Sequence, residues 1–292
     1  MTETAQATVH VEVANSGVTT DLLGVCVCST SEAIAVGRGG VIVRWDGARW
    51  AREPSPTDED LYAICATAEG ELVAVGGNLK VGDHSLVCRF TEGIWVVERS
   101  PVQSLLLSVA AHRGCVKAVG FNGDLVERVD GVWRALAAPT NIHLFCIRPF
   151  ATGWLACGLD GTVVELDGEH AQLQQAGRRH LTSVTRIGAT SVAVGFDGTI
   201  MRRDRGGWRT VASPTREHLW SATSDGDHLA IAGAHGTLLV GPLDALALAT
   251  VPTREDLHAI DGARGYAIAV GRRGTIVHVR RASAVTKLVS TM

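Results

Sequence analysis

The chain has 292 residues, 46% of them hydrophobic, and a net charge of −3. So small a charge supplies neither the basic footprint of a nucleic-acid binder nor a polyanionic surface. The 33 glycines, set against five Phe and two Tyr, point to many tight turns around an interior of Val, Ala and Leu.

The first residues, MTETAQATVHVEVANSG, lack the basic and apolar regions of a secretory signal. No uninterrupted apolar run is long enough to span a bilayer. Seven cysteines (26, 28, 65, 88, 115, 146 and 157) form an odd set without a CxxC pair, and Cys26 and Cys28 share one face of a strand. They read as free, buried thiols of a reducing compartment. A cytoplasmic monomer is the expectation, with no nucleic-acid or membrane partner.

In chain order the first element is VHVEV (Val9–Val13), an alternating strand. Seven copies of one unit follow, beginning at Asp21, Asp60, Leu105, His143, His180, His218 and Asp256. The first copy reads DLLGV…AIAVGRGGVIVRWDGARW, the fifth reads HLTSV…SVAVGFDGTIMRRDRGGW, and the seventh reads DLHAI…AIAVGRRGTIVHVRR. Their spacing is 37 to 39 residues, apart from one step of 45 after Asp60. Each copy holds four β-rich runs, A to D, separated by Gly, Asp and Pro turns, the pattern of one propeller blade. No segment carries sustained helical periodicity. The fold class is therefore all-β, a single seven-bladed β-propeller over residues 1–292 with four antiparallel strands per blade around a central channel. One blade cannot cover its own two faces, so the ring must close. Within residues 1–20 the VHVEV run is a candidate closing strand, and the C-terminal SAVTKLVS run competes with it.

The copies resemble the DLYAV…VWAVG…GTILHWDG…W repeats of bacterial WD40-like, BNR-like and photosystem-assembly-factor-like propellers, over almost the whole chain. That resemblance implies architecture, since such propellers serve as scaffolds, lectins and enzymes alike. The sialidase-type Asp-box, SxDxGxxW, is absent, which argues against a glycosidase.

In such a ring the D–A connections and the B–C tips open on one face, the top. The D–A column holds His143, His180 and His218 in consecutive blades, about 51° apart around a seven-fold axis, where related repeats carry Asp. The B–C tips add Arg38, Asn122, Asp160, Asp197, His235 and Arg273. The enlarged loop GNLKVGDHS of the second copy adds Lys80, Asp83 and His84. Two classes of function follow. One is a binding propeller that holds a small molecule, a peptide or a partner protein at this His/Asp-rich face, with His84, His235, Arg38 and Arg273 as ligand contacts. The other is a metal-dependent hydrolase, lyase or oxidative enzyme. There His143, His180 and His218 would hold Zn, Fe or Cu, and Asp160, Asp197 or Asp256 would act as a base or orient an imidazole. Against the second stands a plainer role, in which each His bonds the D–A turn or packs on the next blade.

Trp50, Trp95, Trp133 and Trp208 recur at the start of strand D, as inter-blade packing. Tyr62, Phe145, Trp220 and His258 share the third position of strand A and also read as packing. Ser108, Ser183 and Ser221 occupy a small-residue column with Gly24, Ala63, Cys146 and Ala259, as crowding at the axis demands. No nucleophile elbow, P-loop, dinucleotide turn, HExxH or EF-hand pattern appears.

Overall fold

The computed structural model describes residues 9–78, 84–150, 153–168 and 170–281. They form seven four-stranded antiparallel sheets arranged as blades. Blade 1 shows how sequence becomes layer. Its strand B, Glu32–Gly37, is almost wholly apolar because both faces of a blade are covered. Ala33 and Ala35 pack towards blade 7, whereas Ile34 and Val36 pack towards blade 2. The core is accordingly seven apolar clusters, one between each pair of adjacent blades. Trp50, Trp95, Trp133 and Trp208 each lie against the preceding blade, as the repeat column implied.

The ring is closed by the N-terminal strand. Val9–Ala14 pairs antiparallel with Ile276–Arg281 of the seventh repeat, with Val11 opposite Val279, and so supplies the fourth strand of blade 7. The competing SAVTKLVS run lies outside the described residues. No helix among the described residues is long and apolar enough to cross a membrane.

Two local devices recur around the ring and shape the top face. In blades 1 and 3 to 7, strands B and C are joined by a single tight turn. In blade 5 both Asp197 (φ 53°) and Gly198 (φ 69°) are left-handed, and the Thr199 N–H closes on the Phe196 carbonyl. This is type I′ geometry, which matches the twist of the flanking strands. A Cβ on Gly198 would stand 2.1 Å from the Thr215 carbonyl oxygen, so no other residue fits there without displacement.

The second device is a register shift at the start of every strand A, at Leu22/Gly24, Leu61/Ala63, Leu106/Ser108, Leu144/Cys146, Leu181/Ser183, Leu219/Ser221 and Leu257/Ala259. The extra residue of such a bulge leaves the ladder and is re-aimed. These residues are Leu23, Tyr62, Leu107, Phe145, Thr182, Trp220 and His258, and all seven are partly exposed. The column read as packing is therefore a half-exposed ring at the channel mouth.

Candidate functional site

The type I′ tip creates a need that the histidines meet. Its first left-handed residue turns its N–H away from the hairpin, and an unpaired amide is costly. The D–A residue of the following blade accepts it. His143 Nδ1 accepts from Asn122 (2.9 Å), His180 Nδ1 from Asp160 (3.0 Å) and His218 Nδ1 from Asp197 (3.0 Å). Asp60, Asp256 and Asp21 use a carboxylate oxygen for the same task, on the N–H groups of Gly39 (2.8 Å), His235 (2.8 Å) and Arg273 (2.9 Å). Asp and His are interchangeable here because each offers an acceptor at similar reach. The column is a latch between blades.

The latch bears on the three-histidine metal centre expected from the sequence. His143, His180 and His218 each use Nδ1 at a different tip. Among the described residues no group of three or more His, Cys, Asp or Glu could hold a metal ion. The aspartates do not take the supporting role either. The Asp160 carboxylate stands 3.5 Å from His180 Nδ1 and that of Asp197 stands 3.6 Å from His218 Nδ1, where the ring nitrogen already accepts a backbone N–H. Asp197 also pairs with Arg179, and Asp256 is a tip cap rather than a poised base.

Of the expected ligand contacts, Arg38 and Arg273 both meet Asp21 across the closure. Arg38 is already met by Asp21 (3.3 Å) and Asp60 (3.5 Å), and at Arg273 it is the amide that is latched. His235 is exposed and bonds Glu217 (2.8 Å), which raises its pKa. His84 begins strand C of blade 2; Lys80 and Asp83 lie outside the described residues.

The structure assembles two separate groups of aromatic rings on this face. His143 stacks on Phe121, with ring centroids 4.4 Å apart and planes 17° apart. Phe196 lies between His180 (5.1 Å) and His218 (4.6 Å) and meets Trp220 edge-on (5.4 Å). All six side chains are partly exposed. The Trp220 indole N–H is buried and has no hydrogen-bond partner among the described residues. Phe121 and Phe196 were missed in the sequence because the residue before each tip is not a column of one type. It reads Phe121, Leu159, Phe196, Ala234 and Arg272 in blades 3 to 7.

Below the mouth, strand A hydroxyls tie neighbouring blades together. Ser108 Oγ accepts from the Ile147 N–H (3.1 Å) and Ser183 Oγ from the Ala222 N–H (3.1 Å), so these serines are structural. Two columns on, Cys26, Cys65, Ala110, Arg148, Thr185, Thr223 and Asp261 occupy equivalent positions, and only Arg148 and Asp261 are charged. Burial raises the Asp261 pKa, although its Oδ2 accepts the Val27 N–H (2.8 Å). The sequence carried that signal, two charges in an otherwise neutral column. The described cysteines are all free; Cys26, Cys88, Cys146 and Cys157 are buried and Cys28 is exposed.

No protein-family model and no curated protein matches the chain. Solved structures do. The chain is similar to YCF48 bound to D1 peptide, with a TM-score of 0.75 and 13% identity over 94% of this chain and 95% of that one. It is similar to virginiamycin B lyase from Staphylococcus aureus, with a TM-score of 0.81 and 13% identity over 94% and 100%. It is also similar to the WD40 β-propeller domain of Doa1, with a TM-score of 0.78 and 13% identity over 95% and 98%. The fold is that of the WD40-like and YCF48-like seven-bladed propellers. At such identity these likenesses describe the fold alone, in keeping with the resemblance carried by the repeats.

Proposed function

We propose that this propeller binds an extended peptide segment of a partner protein across the top of blades 3 to 6. The observation that carries this reading is a half-exposed shelf made of two aromatic groups, the pair Phe121–His143 and the group His180, Phe196, His218 and Trp220, with an unpartnered indole donor on Trp220. Aromatic rings give a large contact area at low entropic cost. A buried donor without a partner is satisfied when a peptide carbonyl reaches it. The tips of Asp160 and His235 rim the shelf with charge. A propeller of the same fold has a structure with a peptide bound, which makes a peptide a reasonable class of ligand.

The test uses a random peptide library displayed on phage and selected on the full chain. Selected peptides should lose at least roughly tenfold in affinity on Trp220→Ala or Phe196→Ala, the usual size of a hot-spot truncation. Circular dichroism should remain that of the folded ring. Enriched peptides that bind both variants as well as the wild type would overturn the placement.

A further inference from the structure

The blade interfaces are unequally filled. On the bottom face, between blades 6 and 7, lies a cavity of about 800 Å³. Its origin can be traced through the repeat. Trp50, Trp95, Trp133 and Trp208 hold one register position in strand D and fill the gap to the preceding blade. In blade 7 strand D is the N-terminal strand, and Val11 takes that position. Small residues line both sides of the gap, among them Ala230, Ala247 and Ala249 of blade 6 and Ala267 of blade 7. Nothing larger moves in to replace the indole.

The lining is not wholly apolar. Arg281 Nη2 pairs with the Asp225 carboxylate at 3.0 Å, which neutralises that acid. Arg281 Nη1 is buried and has no partner among the described residues, and the same holds for Nδ1 of His228. Both residues line the cavity. A large apolar hollow with a few convergent polar atoms is the usual form of a small-molecule site. Close-packed interiors rarely leave such space unused.

We infer that this cavity binds a small aromatic carboxylate about the size of an indole acid. The ring would fill the space that a repeat Trp fills elsewhere, and the carboxylate would accept from Arg281 Nη1 beside His228. The recess beside Val11 is the part of the cavity that a repeat Trp would occupy, and its apolar lining suits an aromatic ring. A guanidinium N–H left without an acceptor favours an anionic head over a neutral one. The site lies on the face opposite the aromatic shelf and does not depend on peptide binding there.

The experiment is calorimetric titration of the full chain with indole-3-acetate and, separately, with neutral indole-3-ethanol. Both should bind saturably, the acid more tightly. Val11→Trp restores the repeat residue; it should weaken both probes by roughly tenfold or more and raise the thermal midpoint by about 2–4 °C as the void fills. If that variant fails to fold, Ala247→Leu narrows the same void and is read in the same way. Arg281→Met should weaken the acid by roughly fivefold or more and leave the neutral probe unchanged, the mark of a charge-assisted contact. Absence of saturable binding of the acid at millimolar concentration overturns the inference. So does binding that neither Val11→Trp nor Ala247→Leu reduces.

Discussion

Towards blade 1, blade 7 packs ring on ring; towards blade 6 it leaves a void. On the first side Trp45 and His278 meet at 4.8 Å between centroids, Trp50 Nε1 donates to His278 Nε2 (3.1 Å), and His278 Nδ1 meets the Tyr266 hydroxyl (2.7 Å). Since Nε2 accepts, the neutral imidazole carries its proton on Nδ1 and donates to Tyr266. On the second side the same position in strand D is held by Val11, facing alanines. Blade 7 is thus fastened by an aromatic network on its blade 1 flank, and on its blade 6 flank by an apolar cluster of smaller residues and the Arg281–Asp225 pair. The small residues of the second flank leave room for a pocket.

The contrast is sharpest for one register position substituted on the two flanks. Trp50→Ala removes a buried indole and leaves His278 Nε2 without a donor, so it should cost about 3–5 kcal/mol. Val11→Ala, at the equivalent position beside existing space, should cost about 1 kcal/mol or less. Urea denaturation of both variants checks this. Equal losses would mean that the two flanks carry closure equally.

A smaller effect depends on pH and belongs to the packed flank. His278 is buried, at 3% exposure, and desolvation lowers its pKa below the ordinary 6.5. Below 6.5 the unfolded chain binds a proton that the folded chain refuses. The stability from this group is therefore complete above pH 6.5 and is lost as pH falls through the folded value. His278→Gln keeps a donor and an acceptor but does not titrate. The wild type should lose more stability than the variant between pH 7 and pH 5, and parallel losses would remove His278 as the cause.

What could be read from the sequence divides along physical lines. The blade count was legible because the turn chemistry of the tips and the fully buried strand B runs repeat with the fold. The closing strand was left between two ends, since VHVEV and SAVTKLVS are both short β-rich runs outside the seven repeats and only pairing decides. The histidine column was read as a place for a ligand or a metal, with bonding to the D–A turn as the plainer alternative. Its role follows from an amide that turns outward only in the type I′ tip, and no residue letter records that direction. The bulge that exposes Tyr62, Phe145 and Trp220 is a matter of register, as is the equivalence of Val11 with Trp50 that opens the cavity. Arg148 and Asp261, by contrast, could have been found as the two charges in a neutral column.

The least costly substitution separates latch from ligand site. If the D–A column only needs an acceptor, His218→Asp should keep stability within about 0.5 kcal/mol of the wild type, because Asp60, Asp256 and Asp21 already serve three tips in that way. His218→Ala should cost about 1–2 kcal/mol, since the Asp197 N–H then loses its partner. The same Asp variant removes the ring that packs on Phe196 and Trp220. Peptide affinity should fall with His218→Asp while the denaturation midpoint does not move. A peptide that binds this variant normally would show that the imidazole acts as a latch alone. The recognition surface would then reduce to Phe196 and Trp220, with the histidines serving only to hold the blades beneath it in register.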